Sequence, residues 1–70
     1  IVLNSVEAAK EFVKAASECD FDIDVYFNRI ALDAKSLLGI LSLDLRNQLR
    51  VCYSGENVGF NTVLAKYAVQ

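Results

Sequence analysis

The sequence predicts an α+β fold: an open-faced sandwich with a four-stranded antiparallel sheet and helices on one face, in the order β-α-β-β-α-β-α. Three observations predict it. Apolar residues recur with the 3.6-residue period of a helix near the start of the chain, alternate with polar residues over residues 20–28, and return to the helical period near the end. Alternating strands bury one face, which amphipathic helices can cover. The 70 residues leave room for a single domain, residues 1–70.

The first two elements are a short strand and an amphipathic helix. Ile1-Val2-Leu3 is an aliphatic, largely β-branched run, which favours a strand that could begin before Ile1. Asn4 and Ser5 are both residues that cap helices. With Asn4 as the cap, Glu7 would complete a capping box, whereas with Ser5 as the cap it would not. The predicted buried stripe of the helix consists of Val6, Ala9, Phe12, Val13 and Ala16.

A hairpin is predicted next. Phe21, Ile23, Val25 and Phe27 would face the core, and Asp20, Asp22 and Asp24 the other side. Asn28-Arg29 interrupts the alternation before Ile30 and Leu32 resume it, which indicates two antiparallel strands around a tight turn. The three aspartates could suggest calcium, but a calcium site wraps its ligands around the ion in a loop with glycine and a later glutamate. A solvated sheet face is the preferred interpretation.

The remaining elements are a short helix, a strand and a closing helix. Residues 34–41 have a helical composition, although Gly39 costs about 1 kcal/mol relative to alanine. Residues 49–53 alternate as a fourth strand, and Gly55-Glu56 provides a turn. The closing helix would pack through residues at helical spacing, namely Phe60, Val63, Leu64, Tyr67 and Ala68.

Composition excludes several classes of function. Nine acidic and seven basic residues give a net charge of −2 without a basic stripe, so we expect no nucleic-acid partner. No apolar run approaches the roughly 20 residues of a membrane span. Cys19 and Cys52 are far apart and no histidine occurs, so no zinc site, redox pair or other cofactor is predicted, and both thiols should stay reduced in the cytoplasm. No catalytic set is recognisable, and we expect no enzyme.

The segment Asp33-Ala34-Lys35-Ser36-Leu37-Leu38-Gly39-Ile40-Leu41-Ser42-Leu43, which follows the predicted hairpin, resembles the serine-bearing segment of HPr, the phosphocarrier of bacterial sugar phosphotransferase systems. The resemblance extends through Leu45. It also includes Glu11-Phe12-Val13-Lys14-Ala15-Ala16, similar to the end of the first HPr helix, and Gly55-Glu56, similar to the turn into its last helix. The order of elements is that of HPr as well.

The chain departs from HPr at the loop before the first helix. There HPr carries a phosphoryl-accepting histidine with an arginine two residues later, whereas this chain runs through Asn4-Ser5 into Val6-Glu7. The resemblance therefore implies a relative without the phosphohistidine role. Ser5 could in principle accept phosphate for transfer, but a serine ester lacks the transfer potential of a phosphoramidate, and helix capping is the simpler interpretation.

The resemblance implies a different role for Ser36, because it matches the serine that a dedicated kinase phosphorylates in many HPr proteins and in a paralogue without the histidine. A phosphate there could interact with the helix dipole and with Lys35. The alternative is that Ser36 is only a helix cap.

The leucines around Ser36 are too numerous for one buried stripe of a short helix, so some should face solvent. Lys35, Leu37, Leu38 and Leu41 are therefore a candidate partner surface, and the alternative is that the leucines form only core or a homodimer contact. The resemblance implies that the partners are phosphotransferase-system enzymes, a serine kinase or a transcription regulator in the cytoplasm. A third hypothesis is a structural relative that binds an unrelated protein.

Overall fold

The computed structural model describes residues 1–44 and 47–69. In these residues lie three helices, α1 (Val6–Ser17), α2 (Leu37–Leu41) and α3 (Val58–Tyr67), and three strands, β1 (Ile23–Phe27), β2 (Ile30–Asp33) and β3 (Arg50–Tyr53). The strands form one antiparallel sheet in the order β2-β1-β3, and the helices pack against it. The α+β class is thus confirmed, with the order α-β-β-α-β-α.

Of the four predicted strands, the described residues contain three, and Ile1–Leu3, predicted as the first strand, forms no strand within them. Ile1 and Leu49 exchange two backbone hydrogen bonds of 2.8 Å, as residues of an antiparallel pair do. The next amide, that of Val2, donates instead to the carbonyl of Tyr67 at the end of α3. Within the described residues, this segment therefore pairs with the sheet through Ile1 only, and its next residue is bonded to α3.

The hairpin prediction is confirmed. Phe27 pairs with Ile30, so Asn28 and Arg29 form a two-residue turn. Asn28 has φ 53°, in the left-handed region that asparagine tolerates better than most residues. This explains how the turn closes without glycine.

The core lies between the sheet and the helices. Ile23 and Val25 of β1 are fully or almost fully buried, whereas Asp24 between them is exposed. The buried residues are Leu3, Ala8, Ala9, Phe12, Val13, Ala16, Cys19, Ile23, Val25, Ala34, Ile40, Leu49 and Phe60. The sheet thus has one apolar face covered by helices and one polar face toward solvent.

The predicted stripe of α1 needs one correction. Ala8 is buried, whereas Val6 is 48% exposed. Side chains on a helix lean toward its N-terminus, so the side chain of the first helical residue projects beyond the layer that the sheet covers. The remaining members of the stripe are buried as predicted, and Phe60 anchors α3 as predicted. Ala68, which we placed on α3, is its exposed C-cap residue.

A row of aromatic rings joins the helices to β3. The Phe12 and Phe60 ring centroids lie 5.9 Å apart, and Tyr53 meets Phe60 edge-on at 5.3 Å. Phe21 stacks on Tyr53 at 6.1 Å. The other side of the Phe21 ring lies against Gly55, so closely that a Cβ atom at that position would be 2.4 Å from Phe21 Cδ1. The turn after β3 therefore depends on a residue without a side chain.

Candidate functional site

Ser5 is the N-cap of α1. Its Oγ accepts a hydrogen bond of 3.1 Å from the amide of Ala8, and its backbone is extended. The cap is therefore Ser5 and not Asn4, so the alternative with a Glu7 capping box is wrong. Glu7 nevertheless lies in the first turn, where a carboxylate interacts favourably with the helix dipole.

Ser36 is the N-cap of α2 and is exposed. Its Oγ accepts a hydrogen bond of 3.2 Å from the amide of Gly39. The turn before it is fixed by Asp33, whose Oδ1 accepts from the Lys35 amide at 2.9 Å and whose carbonyl accepts from the Ser36 amide at 3.0 Å. A Cβ on Gly39 would lie 3.2 Å from Ser36 Oγ, closer than ordinary contact. The glycine that weakens this helix thus leaves room for the serine hydroxyl.

The Lys35 side chain is directed to the end of α1. Its Nζ donates a hydrogen bond of 3.0 Å to the carbonyl of Cys19, which lies two residues after the end of α1. A cation at this position also complements the negative end of the helix dipole. Lys35 therefore links the turn that carries Ser36 to α1.

The leucines of α2 differ in exposure. Ile40 is fully buried, Leu37 and Leu41 are half-buried against the core, and Leu38 is 84% exposed. Leu43, after the helix, is also half-buried. Leu45, which the resemblance included, lies outside the described residues. The site thus consists of an exposed hydroxyl at the start of α2 and, two residues later, an exposed leucine.

The two cysteines have different environments. Both thiols are free, Cys19 in the core and Cys52 exposed on β3. Burial raises the pKa of the Cys19 thiol, so it stays protonated at neutral pH. Within residues 1–44 and 47–69 there is no cluster of three or more acidic, cysteine or histidine side chains that could hold a metal ion. The aspartates before and within β1 lie exposed.

A polar cluster that sequence reasoning missed joins α1 to α3. Lys66 Nζ lies 3.1 Å from Glu11 Oε1, and the Tyr67 hydroxyl donates to the same carboxylate oxygen. These bonds from Tyr67 and Lys66 lower the pKa of Glu11, and the bond to the carboxylate raises the pKa of Tyr67. The partners are 55 and 56 residues apart, so no local spacing signals the cluster.

An open groove runs between β3 and α3, lined by Leu49, Val51, Leu64, Ala65 and Ala68 among others. Among the described residues that line it, Arg50 is the one with a charged side chain.

Fold and site together define a small α+β domain that presents serine hydroxyls at helix N-termini. No helix in the described part of the chain is long and apolar enough to cross a membrane. The family model described as the phosphorylation site of the HPr component of the phosphotransferase system matches residues 5–58, more than half of the chain.

The chain therefore belongs to the HPr family of the phosphotransferase system. Members of this family are phosphocarriers rather than classic enzymes, and they interact with phosphotransferase-system enzymes. Searches of curated proteins and of solved structures found no significant match to this chain.

Proposed function

We propose that this HPr-family domain is a regulatory or protein-interaction module that acts through Ser36 and the adjacent leucines, without phosphohistidine transfer. The observation that carries the proposal is the exposed Ser36 hydroxyl at the start of α2, two residues before the 84% exposed Leu38. A modification at Ser36 would change the charge beside an apolar contact surface.

The absence of histidine from the 70 residues supports the first part of the proposal. Phosphoryl transfer through a phosphoramidate needs an imidazole, and none is present to accept the group. Ser5, at the start of α1, caps that helix, and an ester formed there would be too stable for rapid onward transfer. Serine-based transfer is therefore the less favoured alternative.

The surroundings of Ser36 are suited to a phosphate ester. The group would carry a charge of about −1.5 to −2 and would lie at the positive end of α2. The amide of Gly39, which now donates to Ser36 Oγ, could donate to a phosphate oxygen instead. Lys35 is already bonded to the Cys19 carbonyl, so its ammonium would reach the phosphate only by giving up that bond.

The leucine surface, which consists of Lys35, Leu37, Leu38 and Leu41, is the proposed contact with partner proteins. Large exposed apolar side chains commonly mark contacts with other proteins, and Leu38 is more exposed than any other leucine in the described residues. Lys35, Leu37 and Leu41 border it along the chain. We propose that a phosphotransferase-system enzyme, a serine kinase or a transcription regulator binds here.

The first experiment is incubation of the domain with HPr kinase and ATP, followed by intact-mass analysis and mapping of the phosphate. We expect one phosphate, located on Ser36 and stable to acid, that disappears in Ser36→Ala. Ser5→Ala is the matched control because it also removes a serine cap, and it should be phosphorylated normally. No incorporation, or phosphate elsewhere, would contradict the regulatory role, and acid-labile phosphate would contradict the absence of phosphoramidate chemistry.

The second experiment tests the leucine surface by affinity capture with wild type, Leu38→Ser and Val58→Ser. Val58 is the matched control because it is 83% exposed on a different helix. Loss of phosphotransferase-system partners with Leu38→Ser alone would support the proposal. Capture of only unrelated proteins would favour a relative that has changed its partner.

A further inference from the structure

Among the described residues, no strand pairs with the outer edge of β2. β2 lies at the end of the sheet and pairs with β1 alone. The Ala34 amide donates to the Ile23 carbonyl at 2.9 Å, and antiparallel pairs alternate, so Leu32 and Ile30 also direct their backbone groups toward β1. The amide and carbonyl of Ala31 and the amide of Asp33 therefore point outward, whereas the Asp33 carbonyl already accepts from the Ser36 amide. No other described strand lies on that side.

The two ends of this edge carry opposite charges. Arg29, in the hairpin turn, and Asp33, at the end of β2, are both exposed and form no ion pair with the described residues. Asp33 also lies directly opposite Asp24 across the ladder, which concentrates negative charge at this end. A strand that presents a cation here and an acid at the other end would complement the edge.

We infer that a second copy of this chain binds at this edge, with the two β2 strands antiparallel and the two-fold axis at Ala31. This register places Arg29 of each copy opposite Asp33 of the other and makes two ion pairs. On the opposite face it places Ile30, 48% exposed in one chain, against Leu32 of the second copy. The pairing would continue the sheet across both copies.

Charge discriminates this register from its neighbours. A shift that centres the axis on Leu32 would place Arg29 opposite Lys35, two like charges. A shift that centres the axis on Asp33 would place Asp33 of one copy opposite Asp33 of the other, again two like charges. The register centred on Ala31 makes only attractive pairs and uses the outward-facing backbone groups.

The association should be weak, because a four-residue strand offers few hydrogen bonds and a small area. We expect a dissociation constant on the order of 10⁻⁴ to 10⁻³ M. Such pairing would become important where copies are concentrated on a common partner. The inference does not rest on the function proposed for Ser36.

Sedimentation equilibrium up to about 2 mM protein tests the inference. Arg29→Asp and Asp33→Arg should each weaken self-association about tenfold, because each places like charges at both contacts. An equimolar mixture of the two variants should dimerise at least as well as wild type, since the mixed pair restores both attractions. Lys10→Glu, on α1, matches the charge change of Arg29→Asp and should have little effect.

Several outcomes would overturn the inference: a wild-type monomer over the whole range, equal effects of Arg29→Asp and Lys10→Glu, or no recovery in the mixture. Asp33 also accepts the Lys35 amide, so circular dichroism must show that Asp33→Arg is folded. If it is not, Ala31→Pro replaces it, because proline at an edge position removes only the outward amide. A folded Ala31→Pro variant that dimerises like wild type would then contradict the inference.

Discussion

Gly55→Ala should destabilise the domain through a steric conflict with Phe21. The added Cβ would lie 2.4, 2.5 and 2.7 Å from three atoms of the ring, namely Cδ1, Cγ and Cε1. Gly55 does not have a positive φ, so alanine is compatible with the backbone and only the ring opposes it. To reach ordinary contact, the ring or the turn must move by about 1 Å.

The loss of stability depends on the contacts of Phe21 that this movement disrupts. Phe21 is partly buried against the core and stacks on Tyr53, so it cannot turn aside as the end of a flexible side chain would. Overpacking of this kind costs about 1–3 kcal/mol. Alanine also lowers the conformational entropy of the unfolded chain, which stabilises the folded state by about 0.4–1 kcal/mol. We therefore expect a net loss of about 1–2 kcal/mol in the free energy of unfolding.

Urea denaturation followed by circular dichroism measures this loss, and thermal unfolding should show a decrease of roughly 4–8 °C for each kcal/mol. Gly59→Ala is the matched control. Its Cβ would lie 3.3 Å from Asn57 Oδ1, a contact that a shift of a few tenths of an ångström relieves, and alanine favours α3, so the loss should be far smaller than for Gly55→Ala.

A double-mutant cycle locates the conflict. In a Phe21→Ala background the ring is absent, so Gly55→Ala should be neutral or stabilising, with a coupling of about 1 kcal/mol or more. A neutral Gly55→Ala in the wild-type background, or an equal loss in both backgrounds, would refute the reasoning.

Three further predictions concern polar groups. Ser36→Ala should lower the free energy of unfolding, measured by urea denaturation, by about 1 kcal/mol because the N-cap of α2 is lost. An equal loss in Ser54→Ala, which caps no helix, would contradict this explanation. Because the pKa of Glu11 is lowered in the folded state, its ionised carboxylate stabilises the fold fully above the ordinary pKa of 4.5, and this stabilisation is lost as the pH falls through the folded-state pKa. Glu11→Gln should therefore make the free energy of unfolding depend less on pH on the acid side. A dependence as steep as that of the wild type would refute this. Asp24→Lys should raise the melting temperature, equivalent to about 0.2–1 kcal/mol, because it replaces a repulsion from Asp33 with an attraction. An unchanged or lower melting temperature would contradict this explanation.

Local pattern predicted the elements whose partners are close in sequence. The alternation from Phe21 to Phe27 and its resumption at Ile30 describe a hairpin whose two strands are joined by a two-residue turn. Ser5 and Ser36 cap helices because capping is a local bond from a side chain to an amide three residues later. These features need no knowledge of the rest of the fold.

Long-range contacts determine the features of the structure that the local sequence pattern did not predict. Ile1–Leu3 has strand composition, but the amide of Val2 finds its partner at the end of α3, which no local rule reveals. The number of leucines around α2 indicated that some face solvent, but only the packed structure identifies Leu38 as the most exposed. The contacts of Glu11 depend on the placement of α3 beside α1 and had no signal in the sequence.

The hydrogen bond between Lys35 Nζ and the Cys19 carbonyl gives the domain an internal reporter. Its donor and acceptor are 16 residues apart, and the donor immediately precedes Ser36. The amide chemical shift of Asp20 responds to the hydrogen bond that the Cys19 carbonyl accepts, because both belong to one peptide group. Events that draw Lys35 toward Ser36 will thus be visible in an NMR spectrum at a residue outside the leucine surface, without a label on the site itself.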